Sequence, residues 1–164
     1  VTRDFTVADS VVVAADANIL YDAISDPVQM GNWSPENRGA VVAEPRDGAY
    51  VGMVFDGRNK RGRARWVTRC TVTVAEPAKA FEFRVHAIGV TSPRLKRAIA
   101  TWRYEFEHVS GGTKVTETWT DDRRNWPDAL AFVFDKIVTG GSTFPEFQRR
   151  NIRRTLGNLQ RRFA

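Results

Sequence analysis

From residue 40 to residue 121 the chain alternates apolar and polar residues in runs separated by turn signals, and no connection between runs is long enough to hold a helix. The runs are AVVAE, YVGMVF, ARWVTRCTVTVA, FEFRVHAI, AIATWRYEFEHV and TKVTETWTD. Between them lie PRDG, the basic loop GRNKRGRAR, EPAK, the irregular VTSPRLKR and Gly111-Gly112. Parallel neighbours need a crossover of a dozen residues or more, so strands joined this closely pair antiparallel. A long antiparallel sheet with one apolar face twists, and that face must be covered.

The flanking segments supply the cover. Ser10 to Ala14 is a β-branched run, and Asp16 is placed as the N-cap of ANILYDAIS, with Ile19, Leu20, Ala23 and Ile24 on one helical face. Ser25 or Asp26 caps a second short helix with Pro27 at its first position, ending near Trp33. After Trp126-Pro127 the period turns helical again: DALAFVFDKIV aligns Leu130, Phe134, Ile137 and Val138, and Gly140-Gly141 ends it. A last helix starts near Pro145. Ile152, Leu156, Leu159 and Phe163 form its apolar stripe, while Arg149, Arg150, Arg153, Arg154, Arg161 and Arg162 lie mostly off it. The expected architecture is α+β: a seven-stranded antiparallel sheet covered by the C-terminal helix, with two short helices after the first strand and an extra helix before the last. With 164 residues and no linker or repeat, it is expected to form one domain over 1–164.

The totals exclude several function classes. Cys70, His86 and His108 are too few for a disulfide framework or a Cys/His zinc site, so no metal and no cofactor are expected, and a reducing, cytoplasmic compartment fits. The longest apolar candidate for a membrane span, ALAFVFDKIV, is broken by Asp135 and Lys136, and VTRDFTVADS does not read as a signal peptide. A formal charge of +6 raises polyanion binding through the Arg-rich last helix as a further reading. Basic residues near a helix C-terminus also complement the macrodipole, and no RNP-type or zinc-finger motif accompanies them, so no specific nucleic-acid partner is expected.

Strand parity identifies the face that matters. Taking Gly111-Gly112 as the turn sets Phe106 opposite Glu117, Tyr104 opposite Trp119 and Trp102 opposite Asp121. EPAK sets Val74 with Phe81, Val72 with Phe83 and Cys70 with Val85. PRDG sets Val42 with Val51 and Ala40 with Met53, which points Phe55 inward. The inner wall then carries Met53, Phe55, Trp66, Thr68, Cys70, Phe81, Phe83, Trp102, Tyr104, Phe106 and Trp119, and one carboxylate, Glu117, among them. Arg65, Arg69, Glu82, Arg84 and His86 fall on the outer face, and His108 on the inner face at the turn.

Three local signatures carry a resemblance: VVVAADANILYDAISDPVQMGNWSPE over residues 11–36, FDGRNKRG with Trp66 following, and WRYEFE with GGTKVTETW. In this order they resemble the START-like superfamily (SRPBCC), and in particular its polyketide cyclase/dehydrase and lipid-transport branch. That resemblance implies a helix-grip fold, a curved sheet wrapped around the last helix with a cavity for an apolar ligand between them. Residues 127–144 depart from the pattern by adding a helix, which can act as a lid or fill the cavity with Phe132, Phe134 and Phe144.

Two functional readings follow. In the first, the protein binds a hydrophobic small molecule such as a lipid, polyketide or aromatic metabolite. Its contacts would come from Met53, Phe55, Trp66, Thr68, Cys70, Phe83, Trp102, Tyr104, Phe106, Trp119, Phe134 and Phe144, and the protein would be a monomer or homodimer. In the second, it is a polyketide cyclase/dehydratase with Glu117 as general acid/base and Tyr104 polarising a carbonyl. A buried carboxylate needs a partner, for which a buried Arg, the Tyr104 hydroxyl or pocket water qualify, and parity nominates Arg38 near the rim. Asp121-Asp122 reads as a cap or turn, not a metal pair, and Asn59, Lys60 and Arg61 as a solvated loop that can also hold a phosphate.

Overall fold

The structure, a computed structural model, describes residues 5–139 and 143–164, without the side chains of residues 130, 133, 134, 137 and 138. Strand β1 spans Thr6–Val13, β2 Asn37–Val42, β3 Val54–Arg61, β4 Ala64–Glu76, β5 Ala80–Gly89, β6 Leu95–Val109 and β7 Gly112–Asp121. Helices α1, α2 and α3 span Ala17–Ile24, Asp128–Thr139 and Phe144–Arg162, and a 3-10 helix spans Pro27–Asn32. The strands form one seven-stranded sheet in the order β1-β7-β6-β5-β4-β3-β2. From β2 to β7 each strand therefore pairs with the next in the chain, as the short connections require. β1 completes the sheet by pairing antiparallel with β7.

Capping chemistry sets the helix starts. Asp16 accepts from the Asn18 amide at the start of α1, and Asp26 accepts from the Val28 amide with Pro27 just inside the 3-10 helix. Thr143 caps α3. α3 buries Ile152, Leu156 and Leu159 against the sheet. Its C-terminal turns are fixed across the concave face: Asn158 Nδ2 donates to the Trp33 carbonyl at 2.7 Å and Gln160 Nε2 to the Val12 carbonyl at 3.0 Å. Irregularities in the β2/β3, β4/β5 and β5/β6 ladders increase the local twist and bend the sheet around this helix. Among the described residues no helix is long and apolar enough to cross a membrane.

Several of the expected registers are corrected. In the β6/β7 hairpin the turn is Ser110-Gly111, so Tyr104 pairs with Glu117, Trp102 with Trp119 and Phe106 with Val115, a slide of two residues that preserves every facing. Gly112, at φ 139, opens β7, and a Cβ there would meet the Val13 carbonyl oxygen at 2.1 Å. In β4/β5 the Val72/Phe83 and Cys70/Val85 pairs are as expected, while a bulge gives Val74 to Glu82 instead of Phe81. The β2/β3 connection is a loop over 43–53, not a tight PRDG turn, so Val42 pairs with Phe55 and Ala40 with Gly57, and Val51 is exposed. The basic segment 57–65 is itself a hairpin, turning at Gly62-Arg63. β1 and β6 begin earlier than the patterns indicate, at Thr6 and Leu95. In α1 Tyr21 faces the core and Ile19 faces outward.

Candidate functional site: a cavity between sheet and C-terminal helix

Alternation along β7 sends Val115, Glu117, Trp119 and Asp121 inward. The antiparallel register sets Tyr104 of β6 directly across from Glu117. Between this wall and α3 lies a cavity of about 140 Å³. Phe55, Cys70, Phe83, Trp102 and Trp119 line its sheet side, with Trp66 and Thr68 further along β4. Gln148, Asn151 and Thr155 line its helix side, and Phe144 stacks on Trp119 with ring centroids 5.9 Å apart. The walls are thus unlike: aromatic from the sheet, polar from the helix.

Glu117 is 2% exposed. Its Oε1 accepts a hydrogen bond from the Tyr104 hydroxyl at 2.8 Å, and its Oε2 has no partner. Burial pushes its pKa up to about 8, and the Tyr104 hydrogen bond lowers it only in part. At neutral pH the carboxyl is therefore mostly protonated. With Oε1 taken by Tyr104, Oε2 is left to carry the proton. The Tyr104 phenol stands well above its ordinary value, through burial first and the neighbouring Glu117 second. Burial likewise raises the Cys70 thiol to about 12, which makes it an inert wall residue.

Two further buried polar atoms without partners belong to the same lining, Trp119 Nε1 and Asn151 Oδ1. Buried polar atoms are nearly always satisfied, so three without protein partners on one lining make this the polar part of the cavity. A fourth, the Tyr21 hydroxyl, lies outside this lining.

Several expected residues fall elsewhere. Met53 lines a separate surface cleft beside α1, and Phe106 packs edge-on against Tyr21 at 5.8 Å. The side chain of Phe134 lies outside the described residues, and Phe132 is 52% exposed. Arg38 does not reach Glu117; its guanidinium donates to the Pro35 and Asn37 carbonyls. His86 is hydrogen-bonded to Thr71 on the outer face at 2.8 Å, and His108 is exposed at the turn end of β6. Among the described residues no three His, Cys, Asp or Glu side chains are grouped to hold a metal ion.

Sequence reasoning missed the helix side of the cavity. Gln148, Asn151 and Thr155 follow an i, i+3, i+7 spacing beside the apolar stripe, a pattern that could have marked them as inward. It also missed the mouth, where Arg61 Nε donates to Glu36 Oε1 at 2.8 Å and the Arg61 guanidinium lies 3.5 Å from the Phe147 ring centroid. A third feature is a buried ionic triad. Arg123, 1% exposed, donates to Asp121 at 2.8 and 2.9 Å and to Asp135 of α2 at 2.6 Å, and its guanidinium lies 4.7 Å from the Phe144 ring centroid. Burial alone would discourage its charge, but the two carboxylates outweigh that and raise its pKa.

A family model described as polyketide cyclase / dehydrase and lipid transport matches residues 4–164. No curated protein matches the chain. Among solved structures, a Polyketide_cyc-like protein from Corynebacterium glutamicum is 31% identical, with 95% of this chain and 89% of that one covered and a TM-score of 0.55. A START superfamily protein from Mycobacterium smegmatis is 13% identical, covering 98% and 97% at a TM-score of 0.69. A major latex-like protein from Panax ginseng is 10% identical, covering 97% of each chain at 0.66. The last two likenesses show the fold: an open, curved antiparallel sheet with a C-terminal helix.

Proposed function

The chain belongs to the polyketide cyclase / dehydrase and lipid transport family, and from that premise we propose that it binds a hydrophobic small molecule in the cavity between sheet and α3, oriented by a hydrogen bond from neutral Glu117. The observation that carries this reading is the unpartnered Glu117 Oε2 on a largely apolar, aromatic-rich wall. Apolar contact with the aromatic rings supplies affinity at about 25 cal/mol per Å² buried. The protonated carboxyl donates to a carbonyl or hydroxyl oxygen of the guest, which fixes its orientation. A cavity near 140 Å³ holds about one aromatic ring or a short alkyl chain. A larger guest requires Phe144 to give way.

Native mass spectrometry of protein purified from its own host tests this. The expected result is a small molecule retained on the 18.5 kDa chain and lost in Ala100→Leu, a change in the β6 part of the cavity lining whose added bulk fills the space while circular dichroism shows the fold intact. A small molecule retained equally by that variant would place it elsewhere and overturn the reading.

A second reading, acid/base catalysis of the cyclase/dehydratase kind, draws on the pKa of Glu117 near 8, a value suited to moving protons at neutral pH. The neutral carboxyl would protonate a departing hydroxyl, and the resulting carboxylate would take the proton from the carbon next to a carbonyl, releasing water. Turnover of a poly-β-ketone substrate that survives Glu117→Gln would exclude it.

A further inference from the structure

Beside the cavity mouth lies a second depression of about 230 Å³, and the two share Glu36, Arg61, Phe147 and Asn151 in their linings. We infer that this depression holds the anionic group of the guest, so that the ligand is an amphiphile with an apolar end in the cavity and a phosphate- or carboxylate-like end outside it. The inference rests on the cavity-binding reading and adds the chemical class of the ligand.

Three parts of the fold converge there. Residues 35–38, leading into β2, bring Glu36 and Arg38; the end of β3 brings Lys60 and Arg61; α3 brings Phe147, Arg150, Asn151 and Arg154. The four α3 residues are spaced i, i+3, i+4 and i+7, so a single helical face serves both depression and cavity. Arg61 is matched by Glu36. Arg38, Lys60 and Arg154 add positive charge around the same small volume, and among the described residues the lining holds no further acid. Cations held together by three different elements repel one another unless an anion joins them, and guanidinium groups suit phosphate and carboxylate oxygens.

The cavity itself imposes the orientation. Its inner end presents aromatic rings and a carboxyl that is mostly neutral at neutral pH, where a buried anion would be costly. An anionic end is therefore excluded from the depth and attracted to the mouth. Asn151, 8% exposed and with Oδ1 unpartnered, lies in both linings, where head and tail of such a molecule would join.

Calorimetric titration of the full chain with octanol, octyl phosphate and inorganic phosphate tests the inference. Octyl phosphate is expected to bind roughly tenfold tighter than octanol, as one or two charge-assisted hydrogen bonds supply, and inorganic phosphate more weakly than octyl phosphate. The double variant Lys60→Gln/Arg154→Gln should reduce octyl phosphate binding to the level of octanol and leave octanol unchanged. The control Arg161→Gln/Arg162→Gln, which removes equal charge at the far end of α3, should leave both unchanged. Octanol binding with no gain for octyl phosphate overturns the inference and leaves the cavity reading standing; binding of neither overturns both. Inorganic phosphate as tight as octyl phosphate would make the depression an independent anion site, and equal losses in the two double variants would reduce the effect to overall charge. Either result overturns the amphiphile.

Discussion

Glu117 concentrates the energetic conflict of the molecule in one side chain. Its ordinary pKa is 4.5 and its folded value about 8. Below pH 4.5 it is protonated in both folded and unfolded chains and contributes nothing to the pH dependence. As pH rises from 4.5 to 8 the unfolded chain releases this proton while the folded chain keeps it, so stability falls across that window and the full penalty is present above it. Glu117→Gln removes the titration. The variant is predicted to lose less stability than the parent between pH 4.5 and 8, by an amount on the order of a few kcal/mol. Urea denaturation at a series of pH values measures this, and parallel stability profiles would show that Glu117 does not titrate abnormally.

Among the elements, α2 is joined to the sheet by charge. Asp135 of α2 meets Arg123, which also pairs with Asp121 at the end of β7, and all three are buried. Arg123→Ala leaves two carboxylates without their cation and is predicted to cost about 3–5 kcal/mol, with faster amide exchange in α2. Arg69, paired with Asp56 on the outer face at 43% and 30% side-chain exposure, serves as the contrast: solvent screens the pair, and Arg69→Ala is predicted to cost far less than Arg123→Ala by the same denaturation assay. Equal costs would show that burial does not set the value of these pairs.

The triad also shows where sequence legibility stopped. Asp121 was readable as a turn residue, and its Oδ1 does accept the Arg123 amide at 2.9 Å. Its ionic partner in α2 was not readable, because no local pattern links residues 123 and 135. Strands were legible through alternation, which survives a slide of two residues, and this is why Glu117 and Tyr104 were placed on the correct face despite a wrong register. The bulge that shifts Val74 and the long β2/β3 connection leave no comparable mark in composition. The helix side of the cavity is not legible in the same way, because Gln148, Asn151 and Thr155 are polar and a hydrophobic period marks only the apolar stripe of α3.

At the scale of the whole molecule, a bent sheet is gripped by a helix tied to Trp33 at one side and Val12 at the other. The space left between them is aromatic on one wall, polar on the other and cationic at its mouth. In the reading proposed above, this space admits a guest that meets a neutral Glu117. Carbon-13 titration of the Glu117 carboxyl, with and without saturating octanol, tests it most directly. The expected midpoint is near 8 in the free protein, moved higher by octanol because the guest accepts a hydrogen bond from the neutral form and screens it from water. A midpoint near 4.5 that octanol leaves unmoved would contradict it.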